Sequence, residues 1–180
     1  LQSTAGTMTS HNLRGGMRSL HSVASRGSNL RAPNAGAIGT RSLYSADYNY
    51  FGHSVSISGN TYVVAAPEDD EHGYVHGAAY VYEYNPFWGG FDEQAKLFAD
   101  DGAERDIFGL SVAISGDTLV IGAPGDDTKA IGSAYVFERN GDAWTQQARI
   151  NSGDKRFGWS LAISGDNVVV GTDQASGAAY

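Results

Sequence analysis

The chain has 180 residues, no cysteine and a formal net charge of -8, and 41% of its residues are hydrophobic. That length and apolar share suffice for a core, the missing cysteines exclude a disulfide framework or a thiolate metal site, and no apolar run approaches the roughly 20 residues of a membrane-spanning helix. The charge is unevenly spread, because residues 1–46 hold five arginines and no acid while the remainder carries 7 basic against 20 acidic residues; nucleic acid is excluded as a partner, since phosphate binding needs clustered Lys and Arg.

Residues 1–46 are rich in Ser, Gly and Arg and follow neither the helical nor the strand period, which predicts an extended or disordered arm or linker. Its Arg14, Arg18, Arg26, Arg31 and Arg41 are suited to carboxylates of a neighbouring copy. The chain opens at Leu1 rather than Met, so any targeting segment is expected to be missing or processed.

Beyond the arm one unit occurs three times: FGHSVSISGNTYVVAAPEDD from Phe51, FGLSVAISGDTLVIGAPGDD from Phe108 and FGWSLAISGDNVVVGTDQAS from Phe157. The spacings of 57 and 49 residues suit a propeller blade and are too long for a leucine-rich or ankyrin repeat. With 24 Gly and 10 Tyr among runs of Val, Ile, Ser and Thr, the composition predicts an all-β fold. The boundaries expected are a first blade over 47–107, a second over 108–156 and a truncated third over 157–180.

In each unit Val55 and Ile57, Val112 and Ile114, or Leu161 and Ile163 alternate with Ser and Ala, which predicts a first strand with one apolar face. Gly59-Asn60, Gly116-Asp117 and Gly165-Asp166 then predict tight hairpins. The second strands, Tyr62 to Ala65, Leu119 to Gly122 and Val168 to Gly171, are almost continuously apolar, as a sheet packed on both faces requires. Third strands follow at Ala79 to Tyr82 and Ala134 to Phe137, and the third unit begins its own at Gly177 to Tyr180. Asn140-Gly141 predicts a type I′ turn into a fourth strand from Trp144 to Ile150, whereas Asn85 to Gly90 forms a longer loop whose Phe87 and Trp88 are expected at a blade edge. Four antiparallel strands per blade result, with about two and a half blades in this chain.

These repeats resemble the FG-GAP repeats of integrin-α-type β-propellers. Phe51-Gly52, Phe108-Gly109 and Phe157-Gly158 match the FG, Gly122-Ala123-Pro124 matches the GAP, and Ala65-Ala66-Pro67 nearly does; Gly171-Thr172-Asp173 departs from it. The resemblance implies a closed ring of blades, of which this chain holds an incomplete part, and a structural role for the motif residues. It also implies calcium in a D-x-D-x-D-G loop between the first two strands. The turns here offer at most one carboxylate each, too few for the six or more oxygens calcium takes, so no ligand is carried over to them.

The remaining candidates for chemistry are few. Asp69-Asp70-Glu71 and Asp126-Asp127 are acidic loops that either share a cation, calcium being the candidate, or are solvated turn carboxylates, the preferred reading. His72 and His76 beside Asp69 and Asp70 have metal-ligand chemistry, but Gly73-Tyr74-Val75 argues against the helix that would align them. Ser54, Ser111 and Ser160 stand in segments similar to a nucleophile elbow, yet these lack its final Gly and begin strands, so the Ser is expected to be structural. Trp88, Phe87 and Trp159 either form an aromatic platform for carbohydrate or pack between blades, and packing is preferred.

The expected function is therefore a non-catalytic protein-interaction, adhesion or structural assembly module, part of a larger extracellular or cell-surface protein, with an organelle lumen as the other setting. Its partners would be other subunits or further blades, including self-assembly, because the terminal blade faces need cover. The alternative is a carbohydrate-binding or carbohydrate-active propeller whose active residues lie outside this segment.

Overall fold

The computed structural model describes residues 49–125, 131–173 and 178–180, and outside these the backbone of two short strands, β1 (Ser22–Ala24) and β2 (Ser42–Tyr44). Those two strands, inside the stretch read as an arm, pair in parallel with Ser22 opposite Ser42 and Ala24 opposite Tyr44. Asp126 and Asp127, the loop from Gln174 to Gly177 and the five arginines of the arm lie outside the described residues.

The body is all-β. The first blade is a four-stranded antiparallel sheet in the order β3 (Val55–Ser58), β4 (Thr61–Ala66), β5 (Ala78–Asn85), β6 (Gly90–Leu97). The second repeats it with β7 (Ser111–Ser115), β8 (Thr118–Ala123), β9 (Ser133–Asn140) and β10 (Ala143–Ile150). The third supplies β11 (Ser160–Ser164) and β12 (Asn167–Gly171), and the backbone of Val170 exchanges hydrogen bonds of 2.9 and 3.0 Å with Tyr180, which begins a third strand. The sheets do not close into a barrel; they are blades of an incomplete propeller.

The hairpins β3–β4, β7–β8 and β11–β12 each close on two residues, with Gly59, Gly116 and Gly165 at φ between 55° and 58°. In each case the following Asn or Asp stays at negative φ, the pattern of a type II′ turn. The β9–β10 turn corrects the expectation for Asn140-Gly141. Asn140 pairs with Ala143, so the central residues are Gly141 and Asp142, and only Gly141 has positive φ. The type II′ turn needs one left-handed residue where type I′ needs two, so the turn places its glycine first and leaves Asn140 in the strand.

Two backbone features have no sequence signal. The residue before each FG pair is left-handed, with Tyr50, Ile107 and Arg156 at φ of 54°, 59° and 57°. Such a conformation is costly for β-branched Ile107, and the blade-to-blade contacts described below hold it in place. In both complete blades the outermost strand carries a bulge, where the register slips past Gln94 and past Gln147. Such a bulge increases local twist, and its presence at the same place gives the two sheets matching shapes for stacking.

The principal core lies between the first two blades. Val63, Ala65, Ala79, Val81 and Leu97 of one meet Phe108, Val112, Ile114, Leu119, Ile121, Tyr135 and Phe137 of the other. A second interface joins Val120 and Ala134 to Phe157, Val170, Leu161, Ile163 and Val168 of the third blade. The continuous apolar β8 thus faces a neighbouring blade on each side, and burying each large apolar side chain there stabilises by about 1.5–3 kcal/mol.

Candidate functional site

The repeat motif is the joint between blades. Phe108 N donates to His76 O (3.0 Å) and Phe157 N to Ile131 O (3.0 Å), so the FG of the second and of the third blade hydrogen-bonds to the chain just before the third strand of the preceding blade. The Phe ring then fills the core of its own blade, 5.5 Å from Tyr135 for Phe108; Phe51 meets Tyr80 at 5.2 Å and Phe157 meets Tyr180 at 5.8 Å. The FG glycine of the next blade lies against the GAP glycine of the last. A Cβ on Gly122 would stand 2.0 Å from Gly158 O, and one on Gly158 would stand 2.3 Å from Ser133 O. At both positions the backbones touch, which only glycine permits. Ala123 and Pro124 beside them are fully buried, and Pro67, which ends the near-match in the first blade, is buried too.

A row of serines makes the second part of the joint. β3, β7 and β11 are edge strands, and alternate amides of an edge strand point away from its own sheet. In β7 and the turn after it these amides belong to Val112, Ile114 and Gly116, and they donate to Ser54 Oγ (3.0 Å), Ser56 Oγ (3.2 Å) and Ser58 Oγ (2.9 Å) of the first blade. In the next joint Gly165 N donates to Ser115 Oγ (3.1 Å), and Ser111 Oγ donates to Gly158 O (2.7 Å). Ser54 and Ser56 thus satisfy the outward amides of the buried residues Val112 and Ile114. This gives Ser54 and Ser111, read from the sequence as structural, a definite partner in the following blade.

Charged side chains reinforce the joint at its rim. Arg139 of β9 pairs with Glu83 of β5 at 2.5 Å and with Asp117 at 3.4 Å, bonds Thr61 Oγ1, and lies 5.1 Å from the Trp144 ring centre. Arg149 pairs with Asp101 at 2.7 Å and donates to Ser133 Oγ at 2.9 Å.

The acidic and histidine candidates go elsewhere. Asp69 is buried and its carboxylate takes the Tyr80 hydroxyl (2.8 Å) and the Lys96 ammonium (3.0 Å); Lys96 also pairs with Glu71. Asp70 is exposed beside it. Burial works against the Lys96 charge, but its hydrogen bonds to Glu71, Tyr80 and Asp69 outweigh that and raise its pKa above the ordinary lysine value. Burial, with Asp69 accepting its proton, raises the Tyr80 hydroxyl above the usual phenol range; burial and Glu93 do the same for Tyr82. The His72 ring centre lies 4.0 Å from that of Phe98 with the rings tilted, and His76 is buried with Nδ1 3.3 Å from Gly77 O. Among the described residues no three His, Asp or Glu side chains are grouped to hold a metal ion.

The aromatic candidates separate. Phe87 is 97% exposed at the tip of the β5–β6 loop, while Trp88 folds onto Gly90 and donates Nε1–H to Asp92 (3.1 Å), so only one of the two is the exposed edge residue expected. Trp159 lies in the third blade with the Arg156 guanidinium 5.4 Å from its ring centre. Among the described residues no helix is long and apolar enough to cross a membrane.

The search of curated proteins found no match to this chain. A family model for the FG-GAP repeat matches three stretches, residues 45–82, 91–137 and 144–180, which together cover more than half of its length. The triple match agrees with the joint's geometry, in which the FG and GAP residues of successive units touch, and the chain belongs to the FG-GAP repeat family.

Proposed function

We propose that this chain is a non-catalytic interaction module, serving adhesion or structural assembly in a larger extracellular or cell-surface protein. The observation that carries this reading is the use of the repeated residues: the same Phe, Gly and Ser of successive units are spent on joining blades. The residues that stand in a nucleophile-like segment, Ser54 and Ser111, bond backbone groups of the next blade instead of a histidine. FG-GAP repeats occur in extracellular and surface proteins, and an acidic body of this kind suits basic protein surfaces.

The test is a two-armed assay on the purified chain. One arm measures binding to immobilised surface and matrix proteins, with Phe87→Ala as the comparison; the other follows hydrolysis of a glycan panel. Saturable protein binding without glycan turnover is expected, and turnover of any glycan overturns the reading. The exposed Phe87 beside Trp88 favours carbohydrate binding as the second reading, in which the glycan panel binds and Phe87→Ala weakens it.

A further inference from the structure

We propose that the β5–β6 hairpin tip is a preformed anchor, whose Phe87 enters an apolar pocket rimmed by basic groups on a partner protein. This rests on the interaction-module reading and names the residue and the partner chemistry it uses.

The tip presents one ring on a pinned loop. Phe87 is 97% exposed, yet its own N–H donates to Asn85 Oδ1 (3.0 Å), an Asx turn, and Gly89 N donates to Asn85 O (2.9 Å). Across the hairpin, Asp92 takes Asn85 Nδ2 (2.6 Å) and Trp88 Nε1 (3.1 Å). The Trp88 ring covers Gly90 so closely that a Cβ there would stand 1.7 Å from Cζ3. The larger aromatic is thus drawn back onto the sheet and the smaller is held out in water. Because the backbone beneath it is already ordered, binding through Phe87 loses little further conformational entropy. A sugar platform would turn both rings outward, whereas a single projecting ring suits a pocket.

The exposure does not come from a missing neighbour. The second blade has a blade on each side, and its equivalent turn, Gly141-Asp142, is exposed as well, with nothing within 4 Å of a Cβ on Gly141. Stacked blades therefore leave this corner of the hairpin open. That turn has two residues where the β5–β6 loop has four, 86–89, so of the two complete blades the first alone carries the anchor.

Charge selects the rim of the pocket. Residues 42–95 hold eight Asp and Glu and no Lys or Arg. Asp92 and Glu93 lie on the strand that leaves the tip, and the hydrogen bonds that described residues give them come from the neutral Asn85, Trp88 and Tyr82, which leave their charges uncancelled. An anionic lipid surface is repelled by such a surround, while Lys and Arg around an apolar pocket are attracted.

The experiment titrates the whole 180-residue chain with β-cyclodextrins, whose cavity admits one phenyl ring, and follows the amide NMR shifts of residues 85–90. The 6-amino form should bind about tenfold more tightly than the neutral form at low salt, the gap should close at high salt, and a sulfated form should bind least. Phe87→Ala should weaken binding of the 6-amino form at least about tenfold, and Gly90→Ala, which displaces Trp88 and leaves Phe87 in place, should weaken it by a smaller factor. Unchanged melting of Phe87→Ala confirms that its fold is intact. Binding unaffected by Phe87→Ala or by Gly90→Ala overturns the inference, as does tighter binding of the sulfated form. So does equal binding of maltoheptaose, which has the same sugars without a cavity, or Phe87-dependent binding to phosphatidylserine vesicles. The interaction-module reading survives those outcomes if Phe87→Ala still binds the immobilised surface proteins, and fails separately on glycan turnover.

Discussion

The strands Ser111–Ser115 and Ser160–Ser164 read SVAIS and SLAIS, one residue apart in sequence, and yet the first is buried along four of its five positions while the second exposes Ser160, Ala162 and Ser164. The same contrast holds one strand further out, where Val120 is fully buried and Val169 is 51% exposed. Both strands alternate in the same way and both end in a Gly-Asp turn. They differ in their neighbours: β7 lies between β3 and β11, whereas β11 has a described neighbour on one side only. In a stacked repeat, burial is a property of the interface more than of the unit, so a strand's exposure reports whether its neighbour is in place.

The comparison is broken most severely at the glycine contact. Gly122→Val places a side chain where Gly158 O lies 2.0 Å from the Cβ, and the expected outcome is loss of the third blade's docking and roughly 3 kcal/mol or more of stability, read by urea unfolding and by hydrogen exchange in β11. Gly116→Ala is the control, because a Cβ there meets nothing within 4 Å and only the left-handed backbone is strained, at about 1–2 kcal/mol. Equal losses for the two would show that backbone contact is not what the GAP glycine provides.

A matched pair of truncations sharpens the point about burial. Val120→Ala should cost about 2 kcal/mol, and Val169→Ala, at the equivalent place on the open face, less than about 0.5 kcal/mol in the monomer. Chemical denaturation of both variants at low concentration checks this, and similar costs would mean that the unit alone determines the energy of the position.

The serine row comes next. Ser56→Ala leaves the Ile114 amide without its 3.2 Å acceptor and is expected to cost about 1 kcal/mol, with faster exchange of that amide by NMR as the specific readout. Ser164→Ala, at an exposed position, should leave stability unchanged within error.

The smallest effect near neutrality concerns a difference between the first and second blades. Tyr80, Tyr82 and Lys96 of the first all have raised pKa values in the folded chain, whereas Phe137 and Arg149 stand at the repeat positions of Tyr82 and Lys96. The unfolded chain loses these protons from about pH 10, the ordinary tyrosine value, while the folded chain still holds them. Unfolding then releases protons, so the stabilisation is complete below pH 10 and declines as pH rises above it. Tyr82→Phe and Lys96→Arg should flatten the fall in the urea midpoint between neutral and strongly alkaline pH; an unchanged slope would place the titration elsewhere.

Much of the fold is legible along the chain because its signals are local. Two-residue alternation, a glycine-containing hairpin and an apolar second strand each act within a few residues, and their threefold repetition at matching positions identifies a blade. The type II′ turns were half legible: Gly59, Gly116 and Gly141 mark the place, but which residue takes the left-handed conformation depends on where the strands pair. Left-handed Ile107 and the bulges at Gln94 and Gln147 were not legible, since neither residue type favours its conformation and both are imposed by packing.

By itself, the sequence determined that the chain is all-β and that its unit is a four-stranded blade, because periodicity and turn chemistry act over short range. Only the tertiary structure decided that Ser54, Ser56 and Ser58 cap the edge amides of the next blade, that Asp69 serves Lys96 and Tyr80, and that Val169 is open where Val120 is closed. The serine caps join residues 58 positions apart in different sheets, Asp69 reaches 11 and 27 positions along the chain to strands of its own blade, and Val169 reports on a neighbouring blade, so each partner is whatever the packed chain brings within reach.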